Sequence, residues 1–129
     1  MRLLVTGGAG FIGSNFVRYW VESHPEDSVV VFDVLTKPGN RSSLEPLEET
    51  NAVEFVQGDI GDGAVVESTL RSKRITTVVN FAAESHNSLA VVDPSRFFRT
   101  NVLGTQALCE AARRVGIERF HHISTCEVY

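Results

Sequence analysis

Val5-Thr6-Gly7-Gly8-Ala9-Gly10-Phe11-Ile12-Gly13-Ser14 lies near the start of the 129-residue chain and spaces its glycines as Gly7-x-x-Gly10-x-x-Gly13. Ahead of it, Leu3-Leu4-Val5-Thr6 shows no polar alternation, the pattern of a strand buried on both faces. Behind it, Phe11, Ile12, Phe16, Val17, Trp20 and Val21 recur at three- and four-residue spacings and predict a helix from Phe11 to about Glu22. A strand that turns at once into a helix aims the first helical N–H groups at whatever sits over the turn. A side chain there would keep a pyrophosphate away, and a small third residue lets the helix pack closely on the strand. Glycines alone would suit any tight turn. Asp33, close to the ~20 residues further on that a dinucleotide site calls for, adds a carboxylate able to accept from an adenosine ribose. Its charge would repel a 2′-phosphate, which favours NAD over NADP.

Outward from this stretch, short apolar runs alternate with helical patterns. Ser28 to Phe32 reads as a second strand, Phe55-Val56 before Gly58-Asp59 as a third, Thr76 to Phe81 as a fourth and Arg119 to Ser124 as a fifth. Asp62 is placed to N-cap a helix running to about Ser72. Asp93 and Pro94 mark the start of another, with an apolar stripe of Phe97, Phe98, Val102, Thr105, Leu108, Cys109 and Ala112. Arg113, Arg114 and then Gly116 mark its end. Strands separated by helices predict an α/β, doubly wound parallel sheet of Rossmann type. Ligands of such sheets bind beyond the carboxyl ends of the strands. Small or polar residues gather at those ends: Gly7, Asp33, Asp59, Ala82-Ala83-Glu84-Ser85-His86 and Ser124-Thr125-Cys126-Glu127.

Composition narrows the class of partner. Hydrophobic residues make up 43% and charged residues 22%, values of a folded globular domain rather than a disordered one. The formal charge of −4 without a Lys/Arg cluster speaks against nucleic acid or an anionic membrane surface. No apolar run approaches the ~20 residues of a membrane span, and the N-terminus has no cleavable apolar region. Cys109 and Cys126 make no disulfide framework and fit a reducing cytoplasm; Cys109, within the helical stripe, is expected in the core. His121 and His122 are adjacent on a strand and face opposite ways, so packing is expected of them and no metal site.

Five runs resemble the extended short-chain dehydrogenase/reductases, and within them the dTDP-glucose 4,6-dehydratases. They are Thr6 to Ser14, Gly39-Asn40-Arg41, Ala82 to His86, Thr100 to Thr105 and His121 to Tyr129. The resemblance runs along residues 1–129 but covers only the N-terminal part of such an enzyme, so it implies an incomplete NAD-binding domain cut after its fifth strand. It implies Gly7, Gly10, Phe11, Ile12 and Gly13 at the NAD pyrophosphate, and Asp33, Val34, Leu35 and Thr36 around the adenosine ribose. Asp59 and Ile60 would meet the adenine, and Phe81, Ala82, Ala83, Ser85 and Thr100 the nicotinamide side. Glu84 or Ser85 would approach the nucleotide sugar, and the parent enzyme would be a cytoplasmic homodimer.

The implied reaction moves a hydride from sugar C4 to NAD, eliminates water across C5 and C6, and returns the hydride to C6. Thr125 would hydrogen-bond the C4 oxygen and Glu127 would be the base at C5. Cys126 stands where the family usually has an acidic Asp. A thiol with an ordinary pKa of about 8.5 is already mostly protonated at neutral pH, so Cys126 can act as the proton donor, with a bound water as the alternative. His86-Asn87-Ser88-Leu89 departs from the family's His-Val-Asp-Arg. The family's Tyr-x-x-x-Lys pair is missing, since tyrosines stand only at 19 and 129 and lysines only at 37 and 73. The chain by itself is therefore expected to hold NAD weakly without turnover, and its fifth strand to be an exposed edge. Two other readings stay open: a free-standing, non-catalytic dinucleotide-binding module, and part of a UDP-sugar epimerase or decarboxylase.

Overall fold

A computed structural model describes residues 1–36 and 41–126. Five parallel strands form one sheet: β1 (Arg2–Thr6), β2 (Ser28–Asp33), β3 (Val53–Gln57), β4 (Thr77–Asn80) and β5 (Arg119–His122), in the order β3-β2-β1-β4-β5. The order reverses between β1 and β4. There the connections from neighbouring strands leave in opposite directions and open a crevice at the carboxyl edge. In register, Thr6 stands beside Phe32 on one side and Asn80 on the other, and Asn80 beside His122.

Alternation along the strands sends side chains into two cores. Leu4, Val30, Phe32 and Val78 pack with Val66 and Leu70 of α3 (Gly63–Ser72) and Leu108 and Ala111 of α6 (Thr105–Val115). Leu3, Val5, Val29, Val31 and Val79 face the other way, onto Val17 of α1 (Phe11–Ser23) and onto Leu44. Helices thus cover both faces, which is why the central strands β1, β2 and β4 are apolar without alternation. Asp62 caps α3 through its carboxylate, which accepts from the Val65 N–H at 3.1 Å. Gly116 closes α6 in the left-handed conformation, φ 79°.

The long helical pattern after Asp93 departs from expectation. It comprises α5 (Pro94–Phe97), a π-helical stretch Phe98–Gly104 and then α6. The π winding shifts the phase of the apolar stripe between α5 and α6, with Phe98 and Val102 exposed; within α6, Cys109 is at the surface while Leu108 and Ala112 are buried. Asp93 makes no side-chain cap; its carboxylate accepts from the Ser95 hydroxyl at 2.6 Å. His121 and His122 are exposed on the edge strand rather than packed. Two short helices, α2 (Glu45–Glu49) and α4 (Asn87–Val92), were not foreseen.

Candidate functional site

The glycine turn is a close fit of backbone on backbone. Gly7 adopts φ +67°, and a Cβ there would lie 2.6 Å from the Ala82 nitrogen. A Cβ on Gly13 would lie 2.2 Å from the Gly7 carbonyl oxygen, so only glycine lets α1 start this close to β1. The first intrahelical bond runs from the Ser14 N–H to the Gly10 carbonyl at 2.8 Å, which leaves the amides of Phe11, Ile12 and Gly13 without intrahelical acceptors. No side chain caps this end and no acidic residue occupies the first turn. These amides, at the positive end of the helix dipole, are open to an anion. Phe11 and Ile12 are 86% and 65% exposed although apolar, because their side chains stand over the cleft instead of the core.

Asp33 ends β2 and is 8% exposed. Its Oδ2 accepts from the Ala9 N–H at 3.0 Å and its Oδ1 from the Leu35 N–H at 2.9 Å. One carboxylate therefore ties the glycine turn to the chain leaving β2. Each oxygen keeps a second lone pair, so it can still take a ribose hydroxyl. Leu35 sits at φ 57° and packs on the core; it does not line the cleft, whereas Val34 and Thr36 do. Asp59 Oδ1 accepts from the Gly61 N–H at 2.8 Å.

A cleft of about 1220 Å³ joins these parts to the opposite wall. It is lined by Gly7, Gly10, Phe11, Ile12, Gly13, Asp33, Asp59 and Ile60, and across from them by Phe81, Ala82, Ala83, Glu84, Ser85, Thr100 and Thr125. The volume exceeds that of ordinary small-molecule pockets, roughly 300–1,000 Å³, and suits an extended ligand. Cys126 is exposed but not part of the lining. Glu127 lies outside the described residues, as do Gly39, Asn40, Val128 and Tyr129.

The far wall is held by groups that the sequence did not single out. Asn101 clamps Glu84: its Oδ1 accepts from the Glu84 N–H at 2.8 Å and its Nδ2 donates to the Glu84 carbonyl at 3.0 Å. Arg96 Nε donates to Glu84 Oε1 at 2.8 Å, and the Glu84 side chain is only 10% exposed. The Ser95 hydroxyl, beside the cleft, holds the Asp93 carboxyl below the usual range. Gly104 explains how the π-helical stretch comes so near: a Cβ there would lie 2.9 Å from Ile60 Cγ1, itself part of the lining. A partial signal was present, since Thr100-Asn101 belongs to one of the quoted runs. The winding that aims these residues was not readable.

A family model of GDP-mannose 4,6 dehydratases matches residues 4–129. A dTDP-glucose 4,6-dehydratase from Mycobacterium tuberculosis is 53% identical over 129 residues, covering 100% of this chain and 38% of that protein. Among solved structures, a double mutant of the dTDP-glucose 4,6-dehydratase DesIV from Streptomyces venezuelae, crystallised with NAD, superposes with a TM-score of 0.93 at 46% identity. It covers 100% of this chain and 41% of its own. A UDP-glucose 4-epimerase from Thermus thermophilus in complex with NAD gives 0.81 at 38% identity, over 93% of this chain and 36% of that one. The chain thus spans well under half the length of these relatives.

Proposed function

Because the chain belongs to the GDP-mannose 4,6 dehydratase family, we propose that it is the NAD-holding part of a cytoplasmic nucleotide-sugar 4,6-dehydratase acting on dTDP-glucose. The observation that carries the reading is the uncapped, acid-free start of α1, packed against Gly7 and tied to Asp33. The three amides at Phe11, Ile12 and Gly13 take the pyrophosphate, Asp33 takes the adenosine ribose, and its charge turns away a 2′-phosphate. Asp59 and Ile60 flank the adenine, while Phe81, Ala82, Ala83, Ser85 and Thr100 line the nicotinamide side.

NAD supplies the acceptor, and later the donor, of the hydride. The side chains manage protons and orientation. Oxidation at C4 hands the hydroxyl proton to the tyrosine base of the family's Tyr-x-x-x-Lys, which these 129 residues do not hold. Thr125 donates to the C4 oxygen, where charge builds up as the now acidic C5 proton is removed. Glu127 takes that proton and gives one back to C5 when the hydride reaches C6, while the departing C6 hydroxyl is protonated by Cys126 or by a bound water. Of the pair, Ser85 is the sugar contact, since the Glu84 carboxylate already pairs with Arg96. The parent enzyme is a homodimer. The 129 residues alone bind NAD but do not turn over sugar nucleotide, because the sequence holds no Tyr-x-x-x-Lys.

Extending the chain to the length of its relatives and supplying dTDP-glucose tests the reading. Formation of a 4-keto-6-deoxy sugar nucleotide supports it. Interconversion with the C4 epimer instead supports the epimerase reading, which the fold alone admits. Binding of NAD without conversion of any sugar nucleotide supports a non-catalytic module. In the same protein, Cys126→Ala lowers the elimination rate at least tenfold if the thiol is the acid. An unchanged rate assigns the proton to water.

A further inference from the structure

Asn80, the last residue of β4, joins three strands. It is 1% exposed, and its Oδ1 accepts both from the Thr6 hydroxyl on β1 and from the Ala82 N–H beyond β4, the latter at 3.1 Å. A backbone N–H can only donate, so the amide's orientation is fixed chemically: the oxygen faces Ala82 and the nitrogen faces β5. There Nδ2 lies 3.0 Å from Nδ1 of His122. An amide NH₂ has no lone pair to offer, so Nδ1 must accept and cannot carry a proton.

We propose that Asn80 is a positioning residue that locks His122 as the Nε2–H tautomer, so that β5 presents a hydrogen-bond donor at the cleft wall. His122 lines the cleft and precedes Thr125 by three residues. Its Nε2 has no hydrogen-bond partner among the described residues, and ring geometry directs it away from Asn80. The donor suits an uncharged oxygen acceptor, such as a sugar hydroxyl or carbonyl of the ligand. The inference deepens the nucleotide-sugar reading by giving that cleft a further donor, but the tautomer itself does not depend on NAD being bound.

Long-range nitrogen–proton NMR spectra of the imidazoles, with His122 assigned by its loss in His122→Gln, test it at a pH where the ring is neutral. The expected result is a single Nε2–H tautomer with Nδ1 unprotonated. A mixture of tautomers as in free imidazole, or an Nδ1–H form, overturns it. In Asn80→Asp, Oδ1 can still accept from Thr6 and Ala82, but the second oxygen now faces Nδ1. An ionised carboxylate there can only accept, so Nδ1 gains a proton, and Nδ1 remaining unprotonated beside a carboxyl whose carbon-13 shift shows it ionised overturns the proposal. The wild-type spectrum decides even if this variant does not fold. A failed NAD titration with the expected tautomer present would sink the cofactor reading alone.

Discussion

Asp33 shows how one side chain can hold a site together before any ligand arrives. Replacing it with alanine leaves the Ala9 and Leu35 amides without their partner, at about 1–3 kcal/mol for a buried donor left unmet. Asp33→Ala is thus expected to lower the stability measured by urea unfolding and to weaken NAD binding by at least tenfold in titration. Unchanged stability would remove the tie between loop and strand. At Gly13 the expectation is harsher. A methyl group 2.2 Å from the Gly7 oxygen forces α1 away from the turn, so Gly13→Ala loses about 1–3 kcal/mol and detectable NAD binding together. The sequence announced Asp33 as a ribose partner through its distance from the glycines. Its hold on Ala9 was not legible, because that contact exists only once β1 and β2 pair. Asn101 was hidden for the same reason: its partner Glu84 is 17 residues away in sequence.

Among the elements, the strands and the capped helix α3 follow from local pattern, and their bounds agree with expectation to within a residue or two. The helix after Asp93 does not, because π winding offsets each later residue from the 3.6-residue period on which stripe reading rests. The apolar spacing through Phe98 and Val102 therefore pointed to a face that is not buried. Two glycines bracket the consequence. Gly104→Ala meets Ile60 at 2.9 Å, and the overpacking, about 1–3 kcal/mol, outweighs the ~1 kcal/mol that alanine normally adds to a helix. Gly116→Ala has nothing within 4 Å, so its cost is the left-handed backbone alone, about 1 kcal/mol. Thermal melts should show both variants destabilised, with NAD affinity falling only for Gly104→Ala, whose helix lines the cleft. Equal losses of affinity would contradict that division.

At the scale of the molecule, two layers of helices on a parallel sheet leave one edge for chemistry, and acid should loosen the layers. Hydrogen bonding from Arg71, then attraction from Arg71 and Arg114, holds the Glu67 carboxyl below its usual value and links α3 to α6. A carboxylate depressed on folding adds stability that is present above its unfolded pKa, about 4.3, and is lost as the pH falls through the folded value. The melting temperature is therefore expected to hold from pH 8 to about pH 5 as far as this group is concerned, and to fall below about pH 4. Glu67→Gln should show a smaller acid-side drop, modest because the pair is exposed and screened. An identical drop in both proteins would rule Glu67 out. The central claim is that the amides opening α1 and the carboxylate ending β2 form a dinucleotide cradle. Calorimetric titration of the folded protein with NAD tests it most directly: saturable one-to-one binding, weaker for NADP and abolished by Gly13→Ala, is the predicted result. A well-folded sample that gives no binding signal with NAD or NADH would contradict it.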